Sequence, residues 1–197
     1  MALLYRTELS PTKLELLAGW APKQDWFVGD PDAALTQVGH FRFDDPDGEV
    51  GIETILIRAG EGPVMQVPLT YRNDPLPGAE AALIGTMEHG VLGTRWTYDA
   101  LADPVYRGEL ARAILGGGTQ VEMWIELDGV MTKREPTARV VGTGSQSDPA
   151  VDGVEIEIVR VPESGDADSR IAPKELALTG TWTDQPKPAV LARVIPQ

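Results

Sequence analysis

Along "VMQVPLTYR" the apolar residues Met65, Val67, Leu69 and Tyr71 alternate with Gln66, Pro68 and Thr70. A period of two marks a strand with one buried face. Pro68 has no N–H to give a ladder, which places this strand at a sheet edge or a bulge. The alternation returns in "QVEMWIELDG", where Val121, Met123, Ile125 and Leu127 face one way and Trp124 falls on the polar side. Two other stretches change period. In "LSPTKLELLAGWAP", Leu14, Leu17, Ala18 and Ala21 recur at helical spacing, with Ser10 as N-cap, Pro11 in the first turn and Pro22 as the stop. Further on, Asp103 caps a second helix, Pro104 opens it and Gly116-Gly117-Gly118 closes it, with Tyr106, Leu110 and Ile114 on one face.

The remaining elements are strands joined by turns. "LTQVGHFRF" leads through "DPDG" at 45–48 into "EVGIETILIRA", and "GEG" at 60–62 turns the chain again. "AALIGTMEHGVLGTRWTY" reads as a hairpin with His89-Gly90 near its turn and Trp96 as a buried anchor. After the triple glycine, "TARVVGTG", "VEIEIVRV", "ELALTGTW" and "AVLARVIP" are strand-like. The loops "QSDPAVDG" and "PESGDADS" separate them. The expected fold is α+β: helices packed on a curved antiparallel sheet, a cystatin-like arrangement over residues 1–116, then a small β-rich section over residues 117–197.

Composition narrows the function classes. The chain has 197 residues, no cysteine and a net charge of −13. Without cysteine there are no disulfides and no thiolate metal sites, which agrees with a cytoplasmic location. The opening "MALLYRTELS" has no basic segment leading into an apolar one, as a secretory leader would. No apolar run approaches the roughly 18 residues of a membrane span. Lysine and arginine are scattered rather than clustered, so neither nucleic acid nor a membrane is expected as a partner.

Several stretches together carry a resemblance. "LSPTKLELLAGWAPKQDWF", "FRFDDPDGEVGIETILI", "VPLTYR", "PGAEAALIGTMEHGVLGTRWTYDALADPVY" and "LTGTW" resemble the maltokinase N-terminal cap family. More closely, they resemble free-standing actinobacterial members that carry the cap without a kinase, some of them labelled "1,4-alpha-glucan branching" proteins. The likeness covers roughly residues 5–115. In the second section, "GTGSQSD" is similar to a stretch of the maltokinase intermediate subdomain, with Asp148 in place of the expected asparagine. The resemblance implies a role in α-glucan, trehalose or maltose metabolism.

It does not carry kinase chemistry with it. Phosphoryl transfer needs an acid for the hydroxyl, acids for magnesium and a basic cradle for phosphate. Kinase-like relatives place the first acid in a His-x-Asp loop, but here His40 precedes Phe41-Arg42 and His89 precedes Gly90-Val91. The chain ends where the catalytic lobe would begin, and "GTG" at 142–144 is only a fragment of a glycine-rich loop. Two histidines without cysteine make a poor zinc set. "DDPDGE" has acids without calcium-loop spacing and reads as a turn. Ser10 and Ser145 lack a nucleophile-elbow context, and Glu155 and Glu157 read as a solvated strand face. No catalytic residue, metal or cofactor is therefore expected.

What remains is a recognition surface. The acid–imidazole pair Glu88-His89 sits at a polar hairpin tip, Trp26 and Phe27 on a loop, and Trp124 on the polar side of its strand. These five residues are the candidate interaction surface. Trp20 and Trp96 are assigned to the core. The expected function is a non-catalytic interaction or regulatory module that docks on a sugar kinase, a trehalose synthase or a glucan-processing enzyme, or self-associates. The alternatives are direct malto-oligosaccharide binding by exposed tryptophans and an enzyme whose site the sequence does not reveal.

Overall fold

Ile52, Ile55, Leu56 and Ile57 place large aliphatic side chains on both faces of one strand, so this strand has to lie between two layers. The computed structural model, which describes residues 2–4, 8–127, 130–163 and 175–196, shows how. Strands β1 (Ala2–Leu4) and β2 (Leu9–Ser10) precede helix α1 (Lys13–Trp20). Then come β3 (Leu35–Phe43), β4 (Gly51–Ala59), β5 (Met65–Arg72), β6 (Leu83–His89) and β7 (Gly93–Asp99). Helix α2 (Pro104–Gly116) leads to β8 (Met123–Leu127), β9 (Val130–Arg134), β10 (Ala138–Gly142), β11 (Ile156–Ile158), β12 (Ala177–Trp182) and β13 (Gln185–Val194).

The central sheet is antiparallel, in the order β2-β6-β7-β5-β4-β3, and curls into a half-barrel. Its two faces meet different layers. Ile55, Ile57, Met65, Val67, Leu69 and Tyr71 pack with Leu17 of α1 and Ala21 just beyond it. Ile52 and Leu56 turn the other way with Phe41 and Phe43. There they join Tyr106, Leu110 and Ile114 of α2, and Ala138, Val140, Leu178 and Leu191 of a second sheet, ordered β10-β12-β13-β11. The two helices therefore cover opposite faces of the curled sheet. A third, smaller sheet joins β1, β8 and β9. The α+β architecture agrees with the sequence reading.

Four local expectations are corrected. First, β5 is not an edge and does not have one wet face. It is buried on both faces and paired with both β4 and β7. Pro68 is tolerated because β7 pairs only with Leu69–Arg72. In the first half of β5, the open side is met by the crossing segment at 159–161, and the Gln66 N–H donates to the Arg160 carbonyl at 2.8 Å. Pro68 shares that side with Gln66, so no ladder bond is lost.

Second, α1 is capped by Thr12, not Ser10. The Thr12 hydroxyl accepts from the Glu15 N–H at 3.3 Å, and the Glu15 carboxylate accepts from the Thr12 N–H at 2.7 Å. This reciprocal box satisfies two otherwise orphaned amides. Ser10 belongs to β2, paired with Glu88. Third, Ala18 is exposed; the buried stripe runs instead through Leu17, with Leu14, Leu16 and Trp20 at its margin. Leu16 sits on Gly85, where a Cβ would come within 2.9 Å of its side chain.

Fourth, Trp96 is half-buried and lies outside the core clusters, whereas Trp182 is buried. Trp96 shares its face with Tyr98 but lies two residues closer to the hairpin turn. Three short strands (β1, β2 and β9) have no periodic signal in the sequence and are not expected from it. All five residues of β9 are exposed. Of the acidic loop at 162–169, residues 164–169 lie outside the described residues, as do Asp128 and Gly129.

Helix α2 forms as expected. The Asp103 carboxylate accepts from the Val105 N–H at 3.0 Å, and Gly117 closes the helix at φ 71°. Burial pushes the Asp103 carboxyl up, but its bonds from Arg72 and the Val105 amide outweigh this and leave it below the usual range. Arg72 reaches it with two parallel hydrogen bonds of 2.7 Å. The glycines of "GTG" have a packing role here. The Gly144 N–H donates to the Ile114 carbonyl at 2.9 Å and the Gln146 N–H to the Leu115 carbonyl at 3.0 Å. A Cβ on Gly142 would lie 2.0 Å from the Ala113 oxygen, and one on Gly144 would lie 2.0 Å from the Leu115 oxygen.

This contact makes two glycine substitutions opposite in sign. Gly144→Ala forces backbone apart from backbone and should destabilise by at least about 1–3 kcal/mol. At Gly108, inside α2, an added Cβ would meet nothing within 4 Å. Gly108→Ala should stabilise by about 0.5–1 kcal/mol. Urea unfolding of both variants checks the pair, and equal effects would refute the packing account.

Candidate functional site

Successive residues of a strand point to opposite faces, and this separates the acid–imidazole pair at the hairpin. Glu88 is exposed and accepts from the Thr94 hydroxyl across the hairpin at 2.7 Å. His89 turns to the α1 side with Met87. Its Nδ1 accepts from the N–H groups of Val91 at 3.3 Å and Leu92 at 3.1 Å. The ring therefore braces the turn and carries its proton on Nε2. Burial, with the positive charges of Arg95 and Lys13, holds its pKa below the ordinary histidine value. At the tip itself Val91 and Leu92 are 57% and 44% exposed.

Of the sequence-expected site residues, His89 lines a cleft. The cleft has a volume of about 480 Å³ and lies between the start of α1, the β3–β4 turn and the hairpin. Lys13, Arg42, Tyr71, Asn73, His89 and Arg95 line it, together with the turn acids Asp44, Asp45 and Glu49. Gly51 and Met87 lie among them.

Behind the lining residues Lys13 and Tyr71 a carboxylate is buried. Glu53 is 1% exposed. It pairs with the Lys13 ammonium, accepts from His40 Nδ1 at 2.8 Å, and accepts from the Tyr71 hydroxyl at 2.9 Å. Lys13 also lies 5.2 Å from the centre of the Tyr71 ring. Burial alone would raise the Glu53 pKa, but Lys13, the His40 bond and the Arg42 charge hold it well below the carboxylate range. Tyr71 moves the other way, raised by burial and by the Glu53 charge. The cluster binds α1 to β3, β4 and β5. Sequence reading missed it, although one signal was present: Glu53 interrupts the apolar run "GIETILI".

The other expected site residues lie elsewhere. Trp26 packs at 5.7 Å from Trp20 between ring centroids, and the Arg160 guanidinium lies 4.8 Å over its ring. Arg160 is in turn paired with Asp99. Trp26 and Phe27 both rest against the α1-side core. Trp124 sits on β8 opposite Lys133, in the separate three-stranded sheet. Among the described residues no group of three or more His, Asp or Glu side chains is placed to hold a metal ion. No helix among them is long and apolar enough to cross a membrane.

The charges predict an acid response. The Glu53 pKa falls below its ordinary 4.5 on folding. Its stabilising contribution is thus complete above that value and is lost as pH drops through the folded-state pKa. Glu53→Gln leaves Lys13 without its partner and should cost about 3–5 kcal/mol at neutral pH. That cost should shrink as the wild type is acidified. His89→Ala removes a brace from solvent-accessible amides and should cost about 1 kcal/mol or less. Thermal melts from pH 7 downward check both, and a Glu53→Gln gap that widens in acid would refute the assignment.

No curated protein matches the chain. One protein-family model does, the maltokinase N-terminal cap domain, over residues 20–103. The matched segment runs from the last residue of α1 to the N-cap of α2 and takes in β3 to β7. It contains Glu53, Tyr71, His89 and Arg95 but not Lys13. Over residues 20–103, the curled sheet and its hairpin are similar to the maltokinase N-terminal cap domain.

Proposed function

We propose that the protein is a non-catalytic interaction module of maltokinase-type α-glucan metabolism, docking on a sugar kinase, a trehalose synthase or a glucan-processing enzyme. The family match carries this reading: a cap is by description a domain that accompanies a catalytic one. The hairpin supports this reading by offering a contact surface. Val91 and Leu92 present adjacent aliphatic side chains to solvent on a turn that His89 braces from below. Exposed apolar groups on a fixed backbone form a contact surface with little disorder to remove. Trp26 is less suited to this role, because Arg160 covers one face of its ring and Trp20 packs beside it. The same arrangement gives no support to sugar stacking at that tryptophan.

Two measurements test the proposal. With ATP and maltose the purified chain should transfer no phosphate. Turnover that survives repurification, and is lost when an acid of this chain is replaced, would overturn the non-catalytic reading. Mixed in turn with the three enzyme classes, the chain should co-elute with one of them in size-exclusion chromatography. A Val91→Ser/Leu92→Ser variant should keep its melting transition and lose that co-elution. Unchanged co-elution would remove the tip from the surface, and no co-elution with any of the three would refute docking.

A further inference from the structure

We propose that the cleft beside α1 binds a phosphate-type oxyanion between Arg42 and Arg95. The first argument is what these two side chains lack. Among the described residues Arg58, Arg72, Arg112, Arg139, Arg160 and Arg193 each pair with a carboxylate, whereas Arg42, Arg95, Arg107 and Arg134 do not, and of these four Arg42 and Arg95 line the cleft. Among the described residues neither the Arg42 nor the Arg95 side chain makes an ion pair or hydrogen bond, and Arg42 Nε is buried without an acceptor. Arg42 does feel the charge of Glu53, but Lys13, His40 and Tyr71 already occupy that carboxylate. A buried donor with no acceptor is costly, and an anion in the cleft supplies one.

The second argument is the shape and field of the cleft. Arg42 extends from β3 and Arg95 from β7, so their guanidinium groups enter from different strands of the curled sheet. Gly51 lies beneath: a Cβ there would come within 3.4 Å of Arg42 Nη2 and 3.2 Å of the Tyr71 ring. The absent side chain leaves the floor open. Asn73 adds a neutral donor to the lining. Donors arriving from several directions fit the spread of oxygens on a tetrahedral anion better than a planar carboxylate.

The lining also holds three acids, Asp44, Asp45 and Glu49, two of which are directed elsewhere. All three belong to the β3–β4 turn. Asp45 is directed into its own loop, where it accepts from the N–H groups of Asp47, Glu49 and Val50 at 3.1, 3.0 and 2.8 Å. Glu49 is exposed to solvent. A volume of about 480 Å³ holds a phosphate group with room for a substituent.

Leu92 of the hairpin tip also borders this cleft, but the test uses neither Val91 nor Leu92. The full chain, labelled with ¹⁵N, is titrated with inorganic phosphate, and with chloride and acetate at matched ionic strength. Phosphate should give saturable shifts at the amides of Gly51, Asn73 and His89, and the other two salts should not. Arg95→Gln should weaken binding about ten-fold or more with an unchanged melting transition. Arg42→Gln should do the same, and because it borders Glu53 its fold is checked separately. The proposal is overturned if phosphate gives no saturable shift, if acetate or chloride reproduces it, or if folded Arg95→Gln binds as the wild type does.

Discussion

A sheet covered on both faces has no water to receive its polar side chains, and the rest of this structure follows from how that constraint is met. Glu53, Thr54, Gln66, Thr70 and Thr97 all lie inside. Gln66 places its side-chain amide between two layers, donating to the Val159 carbonyl at 2.6 Å and the Leu191 carbonyl at 2.5 Å. That one group fastens the second sheet to the first. On the opposite face Glu53 does the equivalent for α1. In each case the buried polar group would cost more than it gives if its partner moved away, so it specifies one arrangement of layers where apolar contacts alone would permit several.

The shared core has a bearing on the family match. The matched segment stops at the N-cap of α2, but the apolar face of its sheet continues into α2 and the second sheet through Phe41, Ile52, Leu56, Leu110 and Leu191. Phe41, Phe43 and Val50 are covered there by residues the family model does not include. The outer edge of β3 is also met from beyond the match, with the Val121 N–H donating to the Arg42 carbonyl at 2.9 Å and the His40 N–H to the Thr137 hydroxyl at 3.0 Å. An edge closed in this way is removed as a site of strand addition. This directs the search for a docking surface toward the hairpin.

How much of this was legible in the sequence depended on whether the signal was local. Turn chemistry at "DPDG" and the capping of α2 by Asp103 act over a few residues, and both were read correctly. The Thr12–Glu15 box was equally local, but Ser10-Pro11 offered a competing start slightly too early. Pro68 was misread because its meaning depends on where β7 begins to pair, which no window around the proline contains. The hairpin was legible, and so was the alternation that parts Glu88 from His89. The cleft was not, because Lys13, Arg42 and Arg95 are brought together only by the curl of the sheet. The glycines at 142 and 144 looked like an incomplete phosphate loop until the end of α2 was seen pressed against them.

That last contact, together with the bidentate bond at the other end of the helix, makes α2 a tie rod. Its N-terminus is pinned to β5 through Arg72 and Asp103, and its C-terminal carbonyls are held by the backbone of Gly144 and Gln146. Neither fastening has slack, since one is a two-point clamp and the other is backbone against backbone. The two sheets therefore cannot shear along the helix axis without breaking one of them. Low-cost motion in the described part of the molecule is left to the surface turns.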